Sequence, residues 1–425
     1  MPEVAHERNR VQDGRGWLAA LATALGAAEL AVLALRPRHG VIAAVPVDPL
    51  AHFDARDIAR ARRYGAGQLA LAGAGAAAET TLLVWLVRRE RGRSGDAAPL
   101  RAVAANGAAL SLALLVAPLP FGAWMRVRAL RAGLATQSWR GWGGDIARTA
   151  ALGAGFAAAG AVIVAALMRH YGEDWWKAAS AGSVAVAVVV TVAAPVVLDP
   201  IFNDFVALPD GELRREVLEL AQRAGVSVGE VFEVDASRRT SAANAYVNGL
   251  GASRRVVLYD TLLSSFTAPE ARSVVAHELA HVRYRDVPRL LVYLAAVAPA
   301  GTRAVARLAE RMERSSAPSL PALALSGAVV SGALGVVTRQ LSRAIERRAD
   351  AFALALTGDA DAFVSFERRI TAQNLADPAP PRWLSALIGT HPPIVERIGI
   401  ADAFRAGARP TRPGRRRSLR TPADS

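Results

Sequence analysis

Five apolar blocks crowd the first 198 residues, running from about Trp17 to Leu35, Leu69 to Val87, Ala102 to Trp124, Ala150 to Met168 and Ala179 to Leu198. Each is close to the roughly 20 residues that an α-helix needs to cross a bilayer, where irregular chain and open sheet edges leave backbone groups unpaired. The blocks are rich in Ala and Gly, so any one of them alone could be a buried core helix. Five in succession do not fit that alternative, and the chain is expected to be a mainly α-helical, multi-pass membrane protein. Two weaker blocks, 287–300 and 320–337, bring the expected number of membrane helices to about seven. The first of these is short and carries Arg289, so it reads as the inserted end of a longer helix. Trp17 to Leu35 lacks a small-residue cleavage site and is expected to be retained. Glu29 and Glu79 lie inside blocks and are expected to face the bundle or a wet cavity, because a lipid-facing carboxylate is costly.

The net charge of +14 would suit a nucleic-acid partner. The basic residues, however, are nearly all Arg placed between apolar blocks and in the tail from Arg409 to Arg420, a membrane-flanking distribution that argues for a lipid bilayer and against nucleic acid. Arg occurs on both sides of the blocks, as in Arg88, Arg89, Arg91 and Arg93 against Arg126, Arg128 and Arg131, so positive charge does not orient them. The tail, 409–425, is expected to be disordered, and its charge favours the cytoplasmic face. Abundant Ala and Arg point to a high-GC bacterium and its cell membrane. With no Cys, disulfides and thiolate metal ligands are excluded.

The chemistry is concentrated in His277-Glu278-Leu279-Ala280-His281. On a helix the two His are one turn apart and share a face, so both rings reach one zinc ion, with Glu278 beside its open side to take a proton from water. Thr267-Ala268-Pro269-Glu270 reads as a capping box that starts this helix, with Val274, Val275, Leu279 and Val282 at helical spacing. A tetrahedral catalytic zinc needs a third protein ligand, and Glu346 is the best candidate. Glu346 and Asp350 are four residues apart in a helix-patterned stretch. Asp350 is therefore expected to accept a hydrogen bond from His277 or His281, with Asp286 a second candidate for that role.

Residues 199–285 are mixed in polarity, with an amphipathic helix over 210–224 and strands over 231–234, 245–247 and 255–259. This reads as a small α+β zincin-like peptidase domain inserted between the fifth and sixth membrane helices. The expected divisions are 1–198 for the membrane region, 199–408 for the peptidase domain with its two further helices, and 409–425 for the tail. A strand at the sheet edge beside the metal could pair with an extended peptide.

Several of these motifs together resemble the type I CAAX prenyl endopeptidases, which are integral-membrane zinc proteases. They are Leu198 to Asn203, Asp235 to Arg239, Asn244 to Leu250, Arg255 to Leu263, His277 to His281, Glu346 to Asp350, and Thr390-His391-Pro392-Pro393 with Arg397. The resemblance covers about 198 to 400, in the same order. It implies seven helices enclosing a chamber, one zinc per chain on His277, His281 and Glu346, and Glu278 as the base. It also implies that His391 and Arg397 act at the scissile region or the developing oxyanion, with Asn244, Ala245 and Tyr246 as the substrate-pairing edge and a prenylated peptide or protein as substrate. Taken alone, His391 before two Pro reads as a loop or helix-start residue. Asp286 departs from the His usual in eukaryotic members, so a eukaryote-like prenyl preference does not follow. Two other readings stay open: a membrane quality-control protease of heat-shock type, and an antibiotic-sensor-type signal transducer with a zinc peptidase domain.

Overall fold

The structure, a computed structural model, describes residues 2–91, 98–248, 254–315 and 317–412. The N-terminal part is helical: α1 (Pro2–Leu35), α2 (Ala55–Glu90), α3 (Leu100–Val116), α4 (Leu119–Ala132), α5 (Trp139–Tyr171), α6 (Trp175–Ala193) and the short α7 (Asp199–Phe202). Five of the seven expected apolar blocks fall within these helices or within α11 and α12 described below, while Ala102 to Trp124 crosses the α3–α4 joint and Ala179 to Leu198 runs beyond the end of α6. By length and composition, five helical stretches among the described residues qualify as membrane spans, or six with the α3–α4 pair, rather than seven. The difference lies in Trp139–Phe202, which qualifies as a single stretch. Gly172 interrupts it with φ 55° and ψ −128°, outside the helical region, and so separates α5 from α6. The expected block from Ala102 to Trp124 is also broken. Pro118 and Pro120 stand at the joint between α3 and α4, where the chain bends by 40° because proline cannot continue the ladder of hydrogen bonds.

Small side chains set the helix contacts. Ala20, Ala24, Ala28 and Ala31 form a stripe on α1, where Ala24 and Ala28 are fully buried, and the helix lies closely against its neighbours along this stripe. At the crossing of α3 and α5, a Cβ on Gly107 would lie 2.6 Å from the Ala157 carbonyl oxygen and 2.7 Å from the Ala161 Cβ, so only glycine fits.

The mixed-polarity region contains β1 (Phe205–Ala207), α8 (Glu212–Arg223), β2 (Glu230–Val234), β3 (Ala245–Asn248), β4 (Arg255–Tyr259), α9 (Asp260–Ser265) and α10 (Ala268–Arg283). The strands form one sheet in the order β1-β2-β4-β3, with β2 and β4 parallel and both outer pairs antiparallel. The three expected strands and the amphipathic helix are present. The three-residue β1 and the six-residue α9 are not legible in the sequence, because segments so short carry no periodicity. Val231, Val256 and Leu258 are sealed in a core with Val217 and Leu220 of α8 and Val275 and Leu279 of α10. This packing seats α10 against the sheet.

The chain continues through α11 (Asp286–Glu313), α12 (Leu320–Thr357), α13 (Ala360–Gln373), α14 (Arg382–Ile388) and α15 (Ile394–Arg405). The weak block 287–300 is indeed one end of a longer helix, the 28-residue α11. The tail departs from expectation over 409–412: Thr411 donates its N–H to the Val41 carbonyl and accepts from Gly40, which ties this segment to the α1–α2 connection. The rest of the expected disordered tail, 413–425, lies outside the described residues, as does Arg93.

Candidate metal centre

α10 begins with the capping box that its sequence announces, the Thr267 N–H donating to Glu270 Oε2 at 2.8 Å. His277 and His281 then fall on one face, and α12 crosses that face with Glu346 and Asp350 one turn apart. His277 Nδ1 donates to Asp350 Oδ1 at 2.9 Å, and His281 Nδ1 to Asp286 Oδ2 at 3.1 Å. Each ring therefore has its Nδ1 proton fixed by a carboxylate, and each presents Nε2 to a common point. There, His277 Nε2 lies 3.2 Å from Glu346 Oε2 and 3.3 Å from His281 Nε2, and His281 Nε2 lies 3.7 Å from Glu346 Oε1.

These separations test whether a metal ion fits. Ligands bound at 2.0–2.1 Å in a tetrahedron stand about 3.3 Å apart, the spacing found among these atoms. The donor set of two imidazoles and a carboxylate suits a borderline ion, and each His has the carboxylate behind it that metal-bound His usually has. Electrostatics agree: burial opposes charge on His277, yet its hydrogen bonds to Asp350 and Glu346 raise it to about 10, so the centre favours positive charge. Ligand atoms of His277, Glu278 and His281 lie within 4.8 Å of one another, which puts the Glu278 carboxylate beside the same point. Burial pushes Glu278 upward while the two His pull it down.

His391, on the loop between α14 and α15, accepts or donates at Nδ1 with Thr390 Oγ1 at 2.9 Å and brings Nε2 to 3.3 Å from Glu346 Oε2. It is exposed at the rim. Arg397, on α15, is differently placed from the oxyanion role that the resemblance implies. Its Nε and Nη2 donate to Asp350 at 2.9 and 2.6 Å, and its Nη1 contacts Glu367 at 2.8 Å. With the guanidinium engaged by two carboxylates, its geometry is that of a support for Asp350 and, through it, for His277. Burial disfavours the Arg397 charge, but Asp350 and Glu367 hold its pKa above the ordinary value.

Asn244, Ala245 and Tyr246 lie on or beside β3, an edge strand that packs against α10, and Asn244 is exposed. No hydrogen bond or ion pair joins them to the histidine cluster among the described residues.

Two supporting groups were not singled out from sequence. Arg348, buried on α12, donates to Asp286 and stacks over Tyr284, with its Cζ 4.0 Å from the ring centroid. Glu367 is fully buried on α13 and backs Arg397. It stands on the apolar stripe of Phe363, Phe366 and Ile370, and a carboxylate at such a position was the available signal.

Fold and site together define a chain with several helices long and apolar enough to cross a membrane and a His-Glu-x-x-His cluster whose donor atoms stand at metal-site spacing. Residues 207–404 match Peptidase family M48. The chain is 32% identical over 247 residues to an uncharacterized metalloprotease, YhfN, of Bacillus subtilis, covering 56% of this chain and 58% of that protein. It is 33% identical over 228 residues to a CAAX prenyl protease 1 homolog of Oryza sativa, covering 51% and 53%. The matched stretch therefore spans little more than half the length of these curated relatives. The crystal structure of S. mikatae Ste24p superposes with a TM-score of 0.70 at 18% identity, covering 92% of this chain and 98% of that one, which establishes a shared fold. Over residues 207–404, a little under half of the chain, the protein is thus similar to peptidase family M48.

Proposed function

We propose that the chain is a zinc-dependent endopeptidase that hydrolyses peptide bonds of membrane-associated substrates, including prenylated, CAAX-like ones. The observation that carries this reading is the convergence of His277 Nε2, His281 Nε2 and the Glu346 carboxylate at tetrahedral spacing, with Glu278 alongside. A zinc ion, when bound, would polarise the scissile carbonyl and acidify water at this site. Glu278 then takes the proton from water and passes it to the leaving amine. Asp350 and Asp286 keep both Nδ1 atoms protonated, so that Nε2 remains free for the ion. The edge strand β3 offers unpaired backbone groups on which an extended peptide can lie antiparallel beside α10. His391, at the rim with Nε2 turned inward, is placed to donate a hydrogen bond to the developing oxyanion.

Lipidated substrates are favoured by the names of the CAAX prenyl protease relatives and by the membrane helices around the site. The test is metal content together with cleavage of a farnesylated C-terminal peptide and its unlipidated twin, using detergent-purified protein and its Glu278→Gln variant. One zinc per chain and a clear preference for the lipidated peptide support the reading. Equal cleavage of both peptides shifts it to a general membrane protease, and a chain that binds no zinc overturns it.

A further inference from the structure

We propose that Gly40, in the connection between α1 and α2, is a positioning residue for the metal: it keeps Arg348 against Asp286 and, through that carboxylate, keeps His281 turned toward the ion. This rests on the metal-centre part of the peptidase reading and adds to it a support drawn from the N-terminal region.

Each histidine is backed by a carboxylate, and each carboxylate by a guanidinium, but the two guanidinium groups are themselves held differently. Arg397 is engaged by Asp350 and by Glu367, so ionic contacts on two sides fix its plane. Arg348 reaches only the Asp286 carboxylate among the described residues, and its buried Nε has no hydrogen-bond partner there. Packing must therefore set its direction. The Tyr284 ring lies against the guanidinium, with Cζ 4.0 Å from the ring centroid, and is braced in turn by the edge contact with Phe352, 5.6 Å between centroids. Gly40 closes the remaining space. A Cβ built on it would stand 3.3 Å from Arg348 Cγ and 3.3 Å from the Tyr284 hydroxyl, closer than ordinary van der Waals contact.

Gly40 is pinned from its other side. Its N–H donates to the Thr411 carbonyl at 2.8 Å, and the Thr411 N–H donates to the Val41 carbonyl at 3.0 Å. Its φ of 77° is a left-handed conformation that glycine adopts freely. At the metal end, Asp286 opens α11 directly after Arg285, whose φ of 54° turns the chain sharply between α10 and α11. Asp286 Oδ1 accepts from Arg348 and from Arg289, the latter at 2.5 Å, which leaves Oδ2 for His281 Nδ1 at 3.1 Å. Arg289 is on α11 itself and moves with the carboxylate. Arg348 instead ties that carboxylate to α12, the helix that carries Glu346, and charged bonds of this kind resist rotation. Gly40 thus helps to keep the donor atoms of α10 and α12 at the spacing one ion requires.

The test measures zinc affinity by chelator competition on the full-length protein in detergent, beside the unfolding midpoint of the metal-free protein. Gly40→Asn is the variant of choice, because Asn tolerates the left-handed backbone and so reports the added side chain. We expect zinc to bind about 10-fold more weakly, the lower end of the effect of losing such a support, with the metal-free midpoint unchanged. In an Arg348→Ala background the same substitution should change affinity by less than about 2-fold, since the contact it disturbs is already gone. Thr411→Pro removes the N–H given to Val41 and places nothing against Arg348; it should weaken zinc in the same direction, and it serves for the comparison if Gly40→Asn does not fold. Unchanged affinity in both variants overturns the proposal, as does a loss of equal size with and without Arg348. A parent protein that binds zinc and responds in this way but cuts no peptide leaves the support standing and the peptidase reading fallen. A parent that binds zinc and cuts, with affinity indifferent to Gly40 and Thr411, does the reverse.

Discussion

Arg397 grips Asp350 with two nitrogens, at 2.9 and 2.6 Å, and Asp350 in turn takes the Nδ1 proton of His277. A residue on α15 thereby fixes the tautomer of the first histidine of the His-Glu-x-x-His motif. Losing the carboxylate should loosen the metal without removing a ligand. For Asp350→Asn we expect a 10- to 100-fold loss of metal affinity, of the size seen when such supporting groups are removed. Competition against a graded series of chelators measures it, and an unchanged affinity would rule this support out.

Replacing Arg397 by Met should cost fold stability as well. Asp350 and Glu367 are both buried and would lose the cation they share. Stranding buried charge in this way costs about 3–5 kcal/mol, which should appear as a clearly lowered unfolding midpoint in detergent. A variant as stable as the parent would show that the two carboxylates find other partners.

Base and ligands should separate cleanly. Glu278→Gln is expected to abolish turnover with metal retained, whereas His277→Ala and Glu346→Ala should lose the metal, each removing one of three protein ligands. Metal analysis beside a peptide-cleavage assay distinguishes the two groups. A Glu278→Gln protein that still cleaves would falsify the role given to this residue.

Glu367 supplies a pH dependence. Burial raises it to about 7, against the pull of Arg397, two of whose three contacts go to Asp350, and the second Glu367 oxygen has no hydrogen-bond partner among the described residues. Because its folded value lies above the ordinary 4.5, the native state keeps a proton that the unfolded chain has released. The resulting stability is complete below about pH 4.5 and is lost as pH rises to about 7, by up to about 3 kcal/mol. Glu367→Gln should remove this fall, so the gap in unfolding midpoint between variant and parent should widen from pH 5 to pH 8. A constant gap would mean that Glu367 is ionised throughout.

Gly399 marks where the N-terminal region meets α15. The Val45 N–H donates to the Gly399 carbonyl, and a Cβ on Gly399 would collide with the Val45 backbone. Gly399→Val should push the α1–α2 connection away and destabilise the protein by about 1–3 kcal/mol, measurable by thermal unfolding. An unaffected midpoint would show that this connection shifts freely.

Local regularities carried much of the fold and the chemistry in the sequence itself. Apolar length marked the helices, alternation marked β2, β3 and β4, and the four-residue spacings of His277 with His281 and of Glu346 with Asp350 placed each pair on one helix face. Those are properties of a single helix or strand, fixed by 3.6- and two-residue periods. What lay beyond them depends on how distant segments cross. Asp350 meets His277 across 73 residues of chain, while Asp286 meets His281 from the very next helix, and spacing alone could not divide the two carboxylates between the two rings. The turning of Arg397 onto Asp350, the burial of Glu367 behind it and the placing of β3 at the sheet edge were decided only in the tertiary structure. Each depends on the packing of α10, α12, α13 and α15 or on strand order, which the shapes of whole helices and sheets determine and no short window of sequence records.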